Sequence, residues 1–112
     1  MQLTIEDGTV ITNLTPETLR AALAKLRQPS CNFAVLDARQ DFYIQTAVND
    51  DGSFVLEYQQ GTLDDHYEVP YRIIYVEDVV DAFESFLLED GRWKEIFEWE
   101  KVNFGDISPS VS

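Results

Sequence analysis

The feature that most constrains the fold is a hydrophobic pattern of period two in the middle of the chain. Apolar and polar side chains alternate on both sides of Asp50-Asp51-Gly52. A three-residue loop places Phe42 and Ile44 on the same face as Phe54 and Leu56, whereas a two- or four-residue loop places them with a mostly polar series from Ser53 to Gln59. Because a one-residue slip moves every side chain to the other face, the buried face selects the three-residue loop. Its third position requires a left-handed backbone and is glycine here.

Two helices and several further strands accompany this hairpin. Thr15 is a favourable N-cap and Pro16 suits the first helical position, which predicts a helix over 16–27. Apolar residues at helical spacing predict a second helix over 77–89. Strands are predicted over 2–5, 9–12, 33–37, 42–48 and 53–59, within 66–75, and near 97–102.

The order of these elements predicts an α+β fold. We expect an antiparallel sheet of five or six strands with two helices packed on one face. The other face of the hairpin is half polar, so it should be exposed to solvent or only partly covered by other elements. One domain is expected over residues 1–104, followed by a flexible C-terminal tail over 105–112.

The charge of the chain excludes several classes of partner. The 112 residues include eight Lys and Arg and twenty-one Asp and Glu, for a net charge of −13 and a pI near 4.1. Nucleic acids and anionic membrane surfaces would be repelled, so neither is expected as a partner. Residues 1–56 carry net −3 and residues 57–112 net −10. The second half therefore holds most of the charge that needs a functional explanation.

Neither catalysis nor metal binding is predicted from the reactive side chains. His66 follows Asp64-Asp65, but adjacent residues of a strand point to opposite faces, and no motif places a nucleophile nearby. Cys31 has no basic neighbour to activate its thiol, and its separation from His66 matches no zinc spacing. The paired aspartates are explained first by their preference for turns. We expect a protein without catalytic residues, cofactor or metal.

The location is expected to be cytoplasmic. A single cysteine cannot form an internal disulfide and fits a reducing compartment. The first residues show neither a basic nor an apolar leader. The longest apolar runs are four or five residues, too short to span a membrane.

The exposed face of the second predicted helix carries acidic residues with no Lys or Arg between them. Like charges at i,i+3 and i,i+4 each cost roughly 0.2–0.5 kcal/mol. Glu77 and Asp78 recover part of this at the helix N-terminus, whereas Asp81 and Glu84 do not. A face of one sign suggests a basic partner, with plain solubility as the alternative. The predicted partner-binding residues are Asp64, Asp65, Glu77, Asp78, Asp81 and Glu84.

A sequence resemblance covers about three-quarters of the chain, from Leu19 to Val102. The matching pattern is Leu19…Leu26, Phe33-Ala-Val-Leu, Tyr43-Ile44-Gln45, Gly52…Phe54-Val-Leu-Glu57-Tyr58, His66-Tyr67, Val79-Val80-Asp81-Ala82-Phe83…Phe86-Leu87, Trp93 and Phe97-Glu98-Trp99. This pattern resembles the small immunity proteins of bacterial polymorphic toxin systems, specifically immunity family 1. The motifs are hydrophobic patterns and not catalytic ones.

The resemblance implies a non-catalytic immunity-type protein; a monomer and a homodimer both stay open. Such a protein binds a cognate toxin domain, here a basic one, and occludes its active site. Two other classes stay open on the residues alone. A small acidic secretion chaperone would form a stable homodimer with a hydrophobic groove. A nucleic-acid-mimicking regulator would space its carboxylates regularly over much of the surface.

Overall fold

The protein forms an antiparallel sheet with its helices on one face, as the sequence predicts. The structure, a computed structural model, describes residues 1–70 and 72–102. The strands within these ranges are β1 (Gln2–Ile5), β2 (Val10–Ile11), β3 (Phe33–Arg39), β4 (Phe42–Val48), β5 (Phe54–Gln60), β6 (His66–Glu68) and β7 (Glu100–Lys101), and the helices are α1 (Pro16–Leu23), α2 (Val76–Leu88), α3 (Arg92–Ile96) and a 3-10 helix (Leu63–Asp65). Their order in the sheet is β2-β1-β3-β4-β5-β6-β7.

The β4–β5 hairpin has the predicted register. Val48 pairs with Phe54 and Ile44 with Tyr58, so the apolar series of both strands lies on one face. Gly52 adopts a φ of +86°, and its N–H donates to the Asn49 carbonyl at 3.0 Å. The three-residue loop and its left-handed glycine are therefore confirmed.

The core lies between this apolar face of the sheet and the helices. Its sheet side is built by side chains at alternate positions of β1, β3, β4 and β5, all nearly inaccessible: Leu3, Ile5, Ala34, Leu36, Ile44, Thr46, Phe54, Leu56 and Tyr58. The helices contribute Leu19 and Leu23 from α1, with Val79, Phe83 and Phe86 from α2. On the opposite face of the hairpin, Tyr43, Gln45, Val55 and Glu57 are half-buried.

Helix α1 begins as predicted and ends earlier. The N–H of Thr18 donates to Thr15 Oγ1 at 3.2 Å, and Pro16 occupies the first turn. After Leu23 the chain continues in tight turns, in which the Lys25 N–H bonds to the Ala22 carbonyl at 3.1 Å. These i→i+3 bonds replace the α-helical pattern, so the predicted end at residue 27 is four residues too late.

Helix α2 starts without a Ser or Thr cap. The N–H of Tyr75, the residue before the helix, donates to Asp78 Oδ2 at 2.9 Å, which is one half of a capping box. The helix ends at Leu88, and Glu89 adopts a left-handed φ of 57°. The predicted range of 77–89 is therefore displaced by one residue at each end.

The sheet has seven strands, and not the five or six expected, because each of the seven predicted strand segments forms ladder pairs, including the short ones at the sheet edges. The predicted strand within 66–75 forms pairs only over β6, followed by an isolated bridge between Phe54 and Ile74. The predicted strand near 97–102 is reduced to the two residues of β7, and the preceding residues form α3. Tyr71 in the first of these segments, and the predicted tail over 105–112, lie outside the described residues.

A hydrogen-bonded cluster joins the end of α2 to α3. The buried hydroxyl of Ser85 donates to Asp90 Oδ1 and accepts the N–H of Trp93 at 2.9 Å. Asp90 also accepts the N–H of Arg92 at 3.0 Å. The pKa of Asp90 lies below its ordinary value, first because of the Ser85 hydroxyl and then because of the Arg92 N–H. These bonds fix the turn on which α3 is placed.

We expect Asp90→Asn to reduce the acid sensitivity of the fold. Since the native pKa of Asp90 is depressed, its stabilising contribution is complete above the ordinary carboxyl value of 3.8 and is lost as pH falls through the native value. Urea midpoints at pH 7 and pH 3 should therefore differ less in Asp90→Asn than in wild type. Asp50→Asn, in an exposed turn, is the control and should leave the difference unchanged. Equal differences in wild type and Asp90→Asn would contradict the role of Asp90.

Candidate functional site

Two of the acidic residues predicted on α2 have basic partners from outside the helix. Glu84 accepts a hydrogen bond from Arg20 of α1 at 2.7 Å. Asp78, besides capping the helix, lies 3.4 Å from the Arg72 guanidinium. The expectation that Glu84 stays uncompensated is wrong, because α1 packs against α2 and brings a base that the helix sequence lacks.

Glu77 and Asp81 are the unpaired acids of this helix face. Both are exposed, and neither has an ion-pair partner in the described part of the chain. They line a groove of about 410 Å³ between α1 and α2, which Arg20 and Arg27 also line. Arg20 bonds Glu84, and Arg27 lies over the Phe54 ring at 5.5 Å. The acidic character of α2 is thus concentrated at its first two turns.

Asp64 and Asp65 do not join this group. They lie in the 3-10 helix that follows β5. The start of β5 bridges to Ile74, just before α2, so the two aspartates are at the other end of that strand. Seven residues of strand span roughly 20 Å. The six predicted residues therefore belong to two separate surface regions.

The segment entering α2 adds two exposed apolar side chains. Ile74 is buried against the sheet, and its neighbours Ile73 and Tyr75 are 61% and 59% exposed. We call Ile73, Tyr75, Glu77 and Asp81 the α2 shoulder. Sequence reasoning did not identify its apolar half, because a strand within 66–75 does not by itself show which of its aromatic side chains are exposed. The hydrophobic residues flanking the buried Ile74 were the available signal.

The uncovered face of the sheet carries a polar network centred on His66. The imidazole Nδ1 lies 3.1 Å from Gln59 Oε1, and Nε2 lies 3.0 Å from Glu57 Oε1. Gln45 donates to the same Glu57 oxygen at 2.7 Å, and the Tyr43 hydroxyl donates to Gln59 at 3.2 Å. Both ring nitrogens are engaged and His66 is buried, so the network joins β4, β5 and β6 and does not present the imidazole to solvent.

Two side chains, Tyr43 of this network and Cys31, have pKa values above their ordinary ones. Burial raises the pKa of Tyr43, and the charge of Glu57 adds to the effect. Burial likewise raises the pKa of the Cys31 thiol, which donates to Asp7 Oδ2 at 3.5 Å. A thiol with a raised pKa is a poor nucleophile, as expected for a structural cysteine.

No cluster of three or more His, Cys, Asp or Glu residues able to hold a metal occurs in residues 1–70 and 72–102. Within the same ranges, none of the helices has both the length and the apolar character needed to cross a bilayer.

Comparisons with models of protein families, with curated proteins and with solved structures find no match to this chain.

Proposed function

We propose that the chain is a non-catalytic, immunity-type protein that binds a basic toxin domain and neutralises it. The observation that carries the proposal is the α2 shoulder. There, two large apolar side chains are exposed in the segment that leads into α2, just before two exposed acids without an ion partner in the described residues. The proposal also rests on the resemblance of residues 19–102 to immunity family 1.

The chemistry of the shoulder suits a protein interface. Tyrosine is enriched among residues that carry most of the binding energy, because it buries a large apolar area and keeps a polar tip. Ile73 extends this area next to Tyr75. Glu77 and Asp81 would form a charged rim, which favours a basic partner by accelerating encounter and fixing its orientation.

The net charge supports a basic partner over an acidic or neutral one. Residues 57–112 carry net −10, and the shoulder lies in this half. Toxins that act on nucleic acids need a basic groove for the phosphate backbone. A protein with an acidic rim around an apolar anchor would occupy such a groove and exclude the substrate. We place this action in the cytoplasm of the cell that makes the toxin, by a monomer or homodimer.

The proposal is tested by co-expressing the chain with the toxin domain encoded next to its own gene. A one-to-one complex should form and toxicity should fall. Glu77→Lys/Asp81→Lys should weaken the complex by about 10- to 30-fold, because two rim attractions become repulsions. Glu84 is left intact, since its substitution would break the bond to Arg20. The dissociation constant is measured by calorimetry at two salt concentrations.

Glu17→Lys/Glu89→Lys is the matched control. It changes the net charge by the same amount at exposed positions near the opposite end of α2, where Arg20 bonds Glu84, and should bind like wild type. Unchanged binding by Glu77→Lys/Asp81→Lys would remove the shoulder from the proposal. The absence of any complex, with toxicity undiminished, would overturn the function itself.

A further inference from the structure

A second groove lies at the last edge of the sheet, where β6 and β7 stop pairing. The two strands share only the pairs Tyr67–Lys101 and Glu68–Glu100. Val69 and Pro70 follow β6, Arg72 precedes α2, and residues 95–99 belong to α3 and the segment after it. The space between these segments is about 870 Å³.

The groove has an apolar lining that includes Val69, Pro70, Ile96 and Trp99. Trp99 is fixed in place, because its Nε1–H donates to the Trp93 carbonyl at 3.1 Å and its ring meets the Trp93 ring edge-on at 5.8 Å. The Ile96 side chain is 38% exposed. A rigid aromatic surface beside an exposed aliphatic one is suited to receive an apolar side chain, since little ordering is needed on binding.

The rim of the groove is acidic and unneutralised. Glu95, Glu98 and Glu100 line it, all exposed and without an ion-pair partner in the part of the chain that the structure describes. The one cation in the lining, Arg72, is engaged by Asp78 at 3.4 Å and lies over the Phe97 ring at 4.8 Å. A ligand entering the groove therefore meets three free carboxylates around an apolar surface.

We infer that this groove is a docking site for an extended peptide segment of a protein partner, in which an apolar side chain is flanked by lysine or arginine. Glu98 and Glu100 are two residues apart, about 7 Å in an extended chain, which matches the spacing of same-side residues in an extended ligand. A second copy of the chain carries the same net charge of −13, so repulsion disfavours it as the occupant. The inference does not depend on the proposed function.

The probe is a phage-displayed library of random octapeptides selected on the full chain. Selected peptides should carry lysine or arginine around an aromatic or aliphatic residue. Synthetic copies should bind Glu95→Lys/Glu98→Lys at least ~10-fold more weakly than wild type, because each reversal removes an attraction and adds a repulsion. Ile96→Ser should also weaken binding, since it removes apolar lining without changing charge.

Glu17→Lys/Glu89→Lys, whose residues do not line this groove, again serves as the charge-matched control and should bind the peptides within ~2-fold of wild type. The inference is overturned by a selection without enrichment, by selected peptides that lack basic residues, or by equal weakening in the control. Concentration-dependent dimerisation that Glu95→Lys/Glu98→Lys abolishes would assign the groove to a second copy instead.

The outcome is separable from that of the proposed function. Glu77→Lys/Asp81→Lys should retain wild-type affinity for the selected peptides, because these residues line the other groove. Peptide binding without a toxin complex would support the docking site and contradict the proposed function. A toxin complex without peptide binding would support the proposed function and contradict the docking site.

Discussion

Replacing Trp93 by alanine is expected to lower the free energy of unfolding by about 3–5 kcal/mol. The side chain is 5% exposed at the centre of an aromatic cluster. Its ring centroid lies 4.6 Å from that of Tyr58 and 5.3 Å from that of Phe86, so it joins α3 to both β5 and α2. Since domains of this size are stable by roughly 5–15 kcal/mol in total, the variant should lose a large share of its stability.

The measurement is urea unfolding followed by far-UV circular dichroism. Ile96→Ala lies on the same short helix but is exposed, and should cost less than about 1 kcal/mol. Trp93→Phe keeps an aromatic ring at the site and should lose less than Trp93→Ala. If Trp93→Ala costs no more than Ile96→Ala, α3 does not hold the sheet edge and α2 together.

The parts of the fold that sequence predicts well are those in which local pattern and burial agree. The β4–β5 register follows from a period of two and a glycine at the loop position that needs a left-handed backbone. The core face of α2 follows from apolar residues at helical spacing. At the sheet edge formed by β6 and β7, the local sequence pattern and the burial do not agree. The short helix and two-residue strand there are held by Trp93 and Trp99 contacts between elements, which local pattern does not reveal.

The candidate site shows the same division. The acidic residues of α2 are visible in the sequence, but their neutralisation is not, because Arg20 is 64 positions from Glu84. The exposed face of α2 is uniformly acidic in sequence, but in the fold two of its four acids, Asp78 and Glu84, have an arginine partner. The contact between His66 and Glu57 is a different case, since a register for the β5–β6 pair would have placed both on one face.

Tyr75→Ala is expected to weaken the proposed toxin complex by about 2–4 kcal/mol, or at least ~30-fold. Tyr75 is the largest exposed side chain of the α2 shoulder. Burying its ring under a partner should therefore contribute more binding free energy than one carboxylate at the rim. The helix start should survive, because the capping bond uses the Tyr75 backbone N–H. Circular dichroism of the variant should therefore match wild type.

The comparison that isolates this effect is Leu88→Ala. Leu88 is similarly exposed, at 54%, but ends α2, whose thirteen residues place it about 20 Å from Tyr75. Calorimetric titration of the toxin domain into both variants should give a large loss for Tyr75→Ala and wild-type affinity for Leu88→Ala. Equal losses would mean that the partner covers the whole helix. Losses confined to Leu88→Ala would move the interface to the other end of α2, towards Asp64 and Asp65, and so favour the second of the two acidic regions.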